Sequence, residues 1–267
     1  MKKKYLLRPT KGKYLLVVLS LLLLCIVPNI VFAADDVDPE ADRILRAMSN
    51  YFAETDAFSM NADIGNEIIT YSGQKLQLNS VSKIVMARPN KFLITRKGMF
   101  ADLEMIYDGK LLTLYGGNLN VYAQHQVDGS ADDAIRAVEI KMGLDAPGAD
   151  LLFSDPYAIL SPGVVSSAYL GTDYVNGVEC HHLAFREKKV DWQLWVQTGT
   201  TPLPMKYVIT SKWQAAAPQY SVQFRDWNTK PVIKAELFQF LEKPGAKNLA
   251  NIKIDALGNL VIGQEGK

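Results

Sequence analysis

The sequence contains little cysteine and has almost no net charge. Of its 267 residues only Cys25 and Cys180 are cysteine, and 29 basic against 28 acidic residues give a formal net charge of +1. Cys25 lies in an N-terminal apolar stretch, so removal of that stretch leaves Cys180 alone and excludes an intramolecular disulfide. Charges of both signs are interspersed beyond the first residues, which excludes the basic surface that nucleic-acid binding requires. We therefore expect a fold that depends on its apolar core, and no nucleic-acid partner.

The sequence also lacks the usual signatures of catalysis and of metal or cofactor binding. No serine occupies a G-x-S-x-G turn, and no glycine-rich loop precedes a helix as phosphate or dinucleotide binding requires. Cys180, His182 and His125 are residue types that bind zinc, but C-x-x-C, H-x-H and H-E-x-x-H spacings are absent. Ordinary strand residues are therefore the preferred interpretation of these side chains. We expect no enzymatic activity, no metal and no cofactor.

Long apolar runs are absent except near the N-terminus. A basic segment precedes the apolar run Tyr14–Val27, and the small residues Ala33 and Ala34 follow it. This order is typical of a secretory signal peptide, here residues 1–33, whose cleavage leaves Ala34 or Asp35 first. The alternative is an uncleaved anchor, which needs about 20 apolar residues, a length that this run barely reaches. We expect export, with no stable membrane insertion after cleavage.

Strand-like patterns dominate the rest of the chain. Between Lys83 and His125, short apolar runs alternate with turn signals at Arg88-Pro89-Asn90, Asp108-Gly109 and Gly116-Gly117-Asn118. Pro89 fixes φ for a turn and lacks an N–H, and Asp108-Gly109 suits the positive φ values of a tight hairpin. This pattern predicts an antiparallel meander of four connected strands with one apolar face.

More strands are predicted on both sides of that meander. Their ranges are Phe58–Tyr71, Gln74–Met86, Val164–Leu170, Val178–Glu187, Trp192–Gln197, Met205–Lys212 and Gln219–Asp226. The Asn176-Gly177 pair between two of them is a strong signal for a type I′ hairpin. So many twisted strands rarely stay flat, which favours an open or partly closed barrel.

Helical patterns precede and interrupt these strands. Asp38 can cap a helix whose first position is Pro39. Ser130–Asp133 resembles a capping box, and Asp155-Pro156 begins a shorter helix. Apolar residues recur on one helical face at Ile44, Leu45, Met48, Tyr51 and Phe52, and again at Ile135, Val138 and Met142 before Gly143. The two inserted helices are either a lid over a cavity or a plug at one end of the barrel.

The predicted fold class is mainly β (α+β), an incomplete antiparallel β-barrel, or half-barrel, with helices covering its concave face. The predicted domain comprises residues 34–256, and residues 257–267 form a C-terminal tail. Nine residues of the meander are candidates for lining an apolar pocket on that face: Met86, Phe92, Ile94, Met99, Phe100, Met105, Tyr107, Leu112 and Leu114. The alternative for each is an ordinary packed core, because most apolar side chains of a β domain are simply buried.

Several short motifs resemble known periplasmic proteins. Met86–Phe92, Tyr107–Lys110 and Leu112–Tyr115 resemble the R-P-N-x-F turn and D-G-K hairpin of the LolA/LolB lipoprotein-carrier superfamily. Cys180–Leu183, Asp191–Trp195 and Pro202–Lys206 resemble a family of predicted periplasmic proteins of unknown function that is thought to share that fold. The likeness extends over residues 38–247, and the segment 130–161 departs from the carrier pattern.

The resemblance implies a periplasmic half-barrel whose concave apolar face, closed by helices, holds acyl chains or another apolar ligand. Arg88 corresponds to the carrier arginine that holds the helical lid shut, whereas by composition alone it is equally well a solvated turn residue. The function expected is a carrier or chaperone for a lipid, a lipoprotein acyl chain or another apolar molecule. The alternative is an envelope sensor or assembly subunit that binds a protein partner. A continuous interior cavity favours the former, and an exposed apolar edge or patch without a cavity favours the latter.

Overall fold

The structure is a computed structural model that describes residues 36–142, 147–250, 252–255, 258 and 260–262. The predicted signal peptide, residues 1–33, and the predicted first residues of the processed chain lie outside the described residues. The described part of the chain contains three α-helices and is mainly β.

The helices and strands up to Asn228 follow one another in the predicted order, except that an additional turn at residues 99–101 gives five strands instead of four between Lys83 and His125. The helices are α1 (Pro39–Ala53), α2 (Ala131–Met142) and α3 (Pro156–Leu160), and short 3-10 helices occupy Ala149–Leu152 and Ala235–Phe238. Before α2 come β1 (Ala57–Ile69), β2 (Lys75–Ala87), β3 (Lys91–Gly98), β4 (Asp102–Tyr107), β5 (Leu111–Gly116) and β6 (Val121–Gln126). After α3 come β7 (Val164–Val175), β8 (Val178–Glu187), β9 (Val190–Gln197), β10 (Pro204–Ser211), β11 (Gln219–Asn228), β12 (Lys247–Asn248), β13 (Ile252–Ile254) and β14 (Leu260–Ile262).

Twelve of these strands form one curved sheet in the order β12-β6-β5-β4-β3-β2-β1-β11-β10-β9-β8-β7. All neighbours are antiparallel except β12 and β6, which are parallel. The outermost strands, β12 and β7, do not pair with each other, so the sheet remains open. This confirms the predicted mainly β half-barrel. Strands β13 and β14 form a separate hairpin that includes residues 260–262 of the predicted tail.

The tight turns have the backbone conformations that their residues favour. Asn176 and Gly177 both have positive φ, 53° and 77°, as a type I′ hairpin turn requires. Between β4 and β5 the Asp108 carboxylate accepts hydrogen bonds from the backbone N–H groups of Lys110 and Leu111, at 2.9 and 2.8 Å. Local sequence therefore determines the register of these hairpins.

Helix α1 packs its apolar face on the concave side of β7, β8 and β9. The Asp38 side chain caps the helix by accepting hydrogen bonds from the N–H groups of Glu40 and Ala41. The buried face consists of Ala41, Ile44, Leu45, Met48, Ser49 and Phe52. The ring of Phe52 lies 5.4 Å from that of Phe58 on β1, which connects the helix to the sheet.

Three rows of side chains cross β1 to β5 on the concave face. At the packed end, a fully buried row consists of Phe58, Met86, Phe92, Tyr107 and Leu112. The second row is Met60, Ile84, Ile94, Met105 and Leu114, and the third row is Ala62, Ser82, Arg96, Leu103 and Gly116. The β13–β14 hairpin packs on the third row, because Leu260 occupies the space that a Cβ on Gly116 would need. Apart from the Tyr107 hydroxyl, polar side chains enter these rows only in the third.

One outer strand of the sheet, β7, is partly covered by the residues before α1, and the other, β12, is only two residues long. On β7, the N–H of Ser167 donates to the Asp36 carbonyl at 3.1 Å, and the N–H of Tyr169 donates to the Asp38 carboxylate at 2.9 Å. Two irregularities, at residues 164–166 and 169–172, also interrupt the pairing of β7 with β8. At the other side the two-residue strand β12 pairs with Val121 and Tyr122 of β6.

Candidate functional site

A cavity of about 100 Å³ lies between the concave face and the segment that precedes α3. Its walls come from β1 to β4, which are consecutive in sequence, and from β11, which is distant in sequence but pairs with β1 in the sheet. The apolar lining consists of Ala62, Ile64, Ile84, Ile94, Leu103, Met105, Val222 and Phe224. Ser82, Arg96 and Tyr220 are the polar side chains that reach it.

The cavity is covered by Pro147, Gly148, Ala149 and Leu152. Gly148 has a φ of 91°, which side chains with a Cβ rarely adopt, and it precedes the 3-10 helix. A Cβ on Gly148 would lie 3.5 Å from Tyr220 and from Val222, so the backbone passes close to the cavity wall at this point. Residues 147–154, which lie between α2 and α3, are called the covering segment below.

Arg88 holds the covering segment to the sheet. Its Nη2 donates to the carbonyl oxygens of Leu152 at 3.3 Å and Phe153 at 3.0 Å, and its Nη1 lies 3.8 Å from Asp132 Oδ1. Burial lowers the pKa of the Arg88 guanidinium, and the negative charge of Asp132 opposes that shift. The arginine side chain is only 10% exposed, so it is not a solvated turn residue.

Asp132 adds a second connection between α2 and the covering segment. Its carboxylate accepts hydrogen bonds from the N–H of Ser154 at 3.0 Å and from the Ser154 hydroxyl at 2.6 Å. The start of α2 is in turn held by the N–H of Ala131, which donates to the Pro89 carbonyl at 2.7 Å. Arg88 and Pro89 therefore both contact the region that contains α2 and the covering segment.

Helix α3, in contrast, is anchored to α1. Ser49 on α1 donates to Asp155 Oδ1 at 2.8 Å, and its hydroxyl accepts from the N–H of Tyr157 at 3.1 Å. The Tyr157 hydroxyl donates to Asp42 at 2.7 Å, and this carboxylate raises the pKa of Tyr157. Since α3 is fixed in this way, the covering segment is attached by Arg88 at one side and by α3 at the other.

The nine predicted pocket residues separate into three groups. Met86, Phe92, Tyr107, Leu112 and Leu114 are fully buried in the packed core, and the Tyr107 hydroxyl donates to the carbonyls of Val127 and Gly129. Ile94 and Met105 line the cavity. Met99 and Phe100 do not, because they lie in the turn between β3 and β4, where they are 76% and 38% exposed. For these two residues the structure corrects the prediction.

Arg96, Leu103 and the lining residues of β1 and β11 were missed by sequence reasoning. Arg96 follows Ile94 by two residues, and alternation along a strand places both side chains on one face. This spacing could have identified Arg96 from the sequence. The contribution of β11 was not visible, because Phe224 meets Ala62 only through a pairing that joins distant parts of the chain.

The candidate zinc residues are not brought together. His125 is on β6, whereas Cys180 and His182 are on β8 at the far side of the sheet. Cys180 is buried, and this burial raises the pKa of its thiol to about 11. His182 bonds Gln193 at 2.9 Å and stacks on Trp195 at 4.0 Å, and burial lowers its pKa. Within the described residues, no group of three His, Cys, Asp or Glu side chains could hold a metal ion.

Residues 41–251 match the model of the family DUF2092, described as predicted periplasmic proteins. The chain belongs to this family. Membership in DUF2092 confirms the resemblance to a predicted periplasmic family and agrees with the expected export to the periplasm. None of the helices among the described residues has both the length and the apolar character for crossing a bilayer. No curated protein matches the chain at a significant level.

Solved structures similar to this DUF2092 member come from several bacteria. An uncharacterized conserved protein of Thermus thermophilus is 10% identical, with a TM-score of 0.46 over 79% of this chain and 99% of that chain. The Mycobacterium tuberculosis lipoprotein LppX is 10% identical, with a TM-score of 0.42 over 73% and 98%. A LolA superfamily protein from Nitrosomonas europaea is 8% identical, with a TM-score of 0.39 over 75% and 97%. With TM-scores below 0.5, these likenesses support no conclusion about function.

Proposed function

We propose that this protein is a periplasmic carrier or chaperone that binds a lipid, a lipoprotein acyl chain or another apolar molecule under its covering segment. One observation carries the proposal. Arg88 bonds the carbonyl of Leu152, and the side chain of the same Leu152 lines the apolar cavity. We expect a ligand that displaces Leu152 from the cavity to move its backbone and so to break the Arg88 bond, which would couple cavity occupancy to the attachment of the segment.

The size of the cavity supports a closed, unloaded state. Pockets that bind drug-sized ligands usually have volumes of about 300–1,000 Å³, several times the 100 Å³ found here. An acyl chain therefore requires movement of the covering segment, residues 147–154. The wall that such a movement exposes is apolar, with Ile64, Ile94 and Met105 among its residues.

The energies of attachment and of ligand burial are comparable. Two hydrogen bonds to a charged donor contribute about 3–6 kcal/mol in total. Burying one methylene contributes about 0.8 kcal/mol, so about four to eight methylenes offset the loss of both Arg88 bonds. An acyl chain is long enough to open the segment, whereas a small apolar solute is not. We infer that Arg88 is a latch that selects for chain length.

The alternative function, a sensor or assembly subunit, has less support from this structure. A protein partner often binds such a fold by adding a strand to an open sheet edge. On β7 the N–H groups of Ser167 and Tyr169 are already bonded to Asp36 and Asp38. An interior cavity is present as well, and that is the feature expected of the carrier.

Native mass spectrometry of the processed protein, purified without detergent, tests the proposal. We expect a fraction of the protein to carry a co-purified apolar molecule, and the delipidated protein to take up an added long-chain lipid at a one-to-one ratio. A protein that neither retains nor takes up any apolar molecule would contradict the proposed function.

A further inference from the structure

Arg96 brings a positive charge to the edge of the apolar cavity. It lies on β3, opposite Ser82 on β2 and Leu103 on β4, and all three side chains line the cavity. Towards the packed end the next residue of β3 on the same face is Ile94, opposite Met105. Along β3 the concave face therefore changes from apolar at Ile94 to cationic at Arg96, which is the next residue on that face.

The Arg96 guanidinium is held in place but has no counterion. Its Nε donates to the Ser80 hydroxyl at 3.0 Å, and Ser80 is itself buried. Within the described part of the chain, no carboxylate lies within 4.0 Å of Arg96. The side chain is thus oriented through one nitrogen, and its guanidinium packs beside Gly258, where a Cβ would lie 3.7 Å from Nη1. The N–H groups of Nη1 and Nη2 have no hydrogen-bond acceptor among the described residues.

Other arginines on the sheet are paired in a different way. Arg225 makes two contacts with Asp63 and one with Asp226, and Arg186 contacts Asp191. Lys97, the neighbour of Arg96 in sequence, points to the opposite face, is 74% exposed and lies 3.9 Å from Asp102. A charge beside an apolar wall is costly unless it is paired, so an uncompensated arginine at this position is suited to an anion supplied by a ligand.

Tyr220 provides a second donor at the same edge. It lies on β11, lines the cavity together with Arg96, and its hydroxyl has no hydrogen-bond partner among the described residues. Burial raises the pKa of the Tyr220 hydroxyl, the positive charge of Arg96 opposes this shift, and the negative charge of Asp150 adds to it. The two side chains therefore share one local environment.

We propose that the ligand is an amphiphile with an anionic head, a carboxylate or a phosphate, which binds Arg96 and Tyr220 while its chain enters beside Ile94 and Met105. This inference rests on the proposed function and specifies the ligand class for the same cavity. A guanidinium binds either anion through two parallel N–H donors. In this arrangement the polar head stays beside Arg96 and Tyr220, and the chain extends toward the segment that Arg88 contacts.

A series of ligands with one chain length tests this assignment: palmitate, hexadecyl phosphate and hexadecanol, each below its micellar concentration. Affinities are measured by displacement of the neutral dye Nile red. We expect the wild type to bind at least one of the anions about 10-fold to 100-fold more tightly than the alcohol, the range for a hydrogen bond to a charged group. Tighter binding of palmitate alone or of the phosphate alone supports the proposal and identifies the anion.

Two variants separate the role of Arg96 from a general effect of charge. Arg96→Gln is expected to remove the preference for the anions over hexadecanol, measured as the ratio of the two affinities within the variant. Lys97→Gln, which removes the same charge from the opposite face of the same strand, is expected to keep the preference. An Arg96→Lys variant keeps the charge but loses the two parallel N–H donors. We expect it to retain part of the preference for the anion.

The outcomes distinguish this inference from the proposed function. If the wild type binds the anions and the alcohol with equal affinity, the anionic head is wrong while the carrier function stands. An undiminished preference in folded Arg96→Gln likewise overturns the role of Arg96. If the wild type binds none of the three ligands, both proposals fail. The wild-type series alone decides the matter should Arg96→Gln not fold.

Discussion

Arg88 Nη2 lies 3.3 Å from the carbonyl oxygen of Leu152, a residue whose side chain forms part of the cavity wall. The same nitrogen lies 3.0 Å from the carbonyl oxygen of Phe153. One side chain on the sheet thus binds two consecutive carbonyls of the covering segment. Lysine, a compact charge on a flexible chain, cannot reproduce the planar arrangement of donors.

Replacing Arg88 by leucine should speed ligand exchange. Loss of the two hydrogen bonds is expected to raise ligand on- and off-rates about tenfold or more and to increase hydrogen exchange in residues 130–160, while the sheet remains folded. Arg88→Lys should restore the rates only in part. Arg186→Leu, which removes an exposed arginine from β8, is the matched control. Wild-type rates and unchanged protection in Arg88→Leu would refute the latch.

Replacing Met105 by glutamate should abolish uptake of an apolar dye. Met105 lines the cavity, and an unpaired carboxylate in an apolar cavity is strongly disfavoured. Met105 is only partly buried, whereas Met86 is completely buried. We therefore expect the Met105→Glu variant to remain folded. Met99→Glu introduces the same change at an exposed turn and should bind normally. Loss of uptake with an unchanged circular dichroism spectrum supports the cavity, whereas global unfolding would assign Met105 to the core.

Cys180 should react slowly with thiol reagents in the native protein. It is fully buried, and its pKa is raised to about 11, so little thiolate is present at neutral pH. Labelling is expected to become fast only in denaturant. Rapid native labelling, or stoichiometric zinc after purification without chelators, would instead restore the metal hypothesis for Cys180, His182 and His125.

The same thiol predicts a pH dependence of stability. Its pKa is higher in the folded state, about 11, than the ordinary value of 9.0, so the folded protein retains the proton over this interval. The thiol therefore contributes little to the pH dependence until the pH approaches 9, and the unfolding free energy falls as the pH rises from 9 to 11. The expected loss is about 2–3 kcal/mol. Denaturation curves of wild type and Cys180→Ala isolate this effect. The difference in unfolding free energy between the two proteins should shrink by that amount from pH 9 to pH 11. A difference that stays constant over this interval would contradict the prediction.

The processed protein should begin at Ala34 or Asp35. This expectation follows from the small residues that end the N-terminal apolar run. Intact mass spectrometry of the exported protein measures it directly. A mass that includes Tyr14–Val27 would indicate an anchored protein.

Local features of the fold were predictable from sequence, and the cavity was not. Asp38 caps its helix and Asn176-Gly177 forms its turn because each effect depends on residues only a few positions apart. The pairing of Ala62 with Phe224 joins strands that local pattern cannot connect. Met99 and Phe100 were misplaced because apolar character alone does not distinguish a turn from a strand. Arg96 was overlooked although its spacing from Ile94 places it on the concave face.

Asp38 gives the open sheet a further property. Its carboxylate accepts hydrogen bonds both from the start of α1 and from the N–H of Tyr169 on β7, and the latter bond is the main cause of its lowered pKa. An exposed edge strand can pair with another molecule, and β7 is an edge of a sheet that does not close. Asp38 keeps its charge down to more acidic conditions than an ordinary aspartate, so we expect its bond to the edge strand to persist as the pH falls. A single side chain thus links the cover of one sheet edge to the start of the first helix.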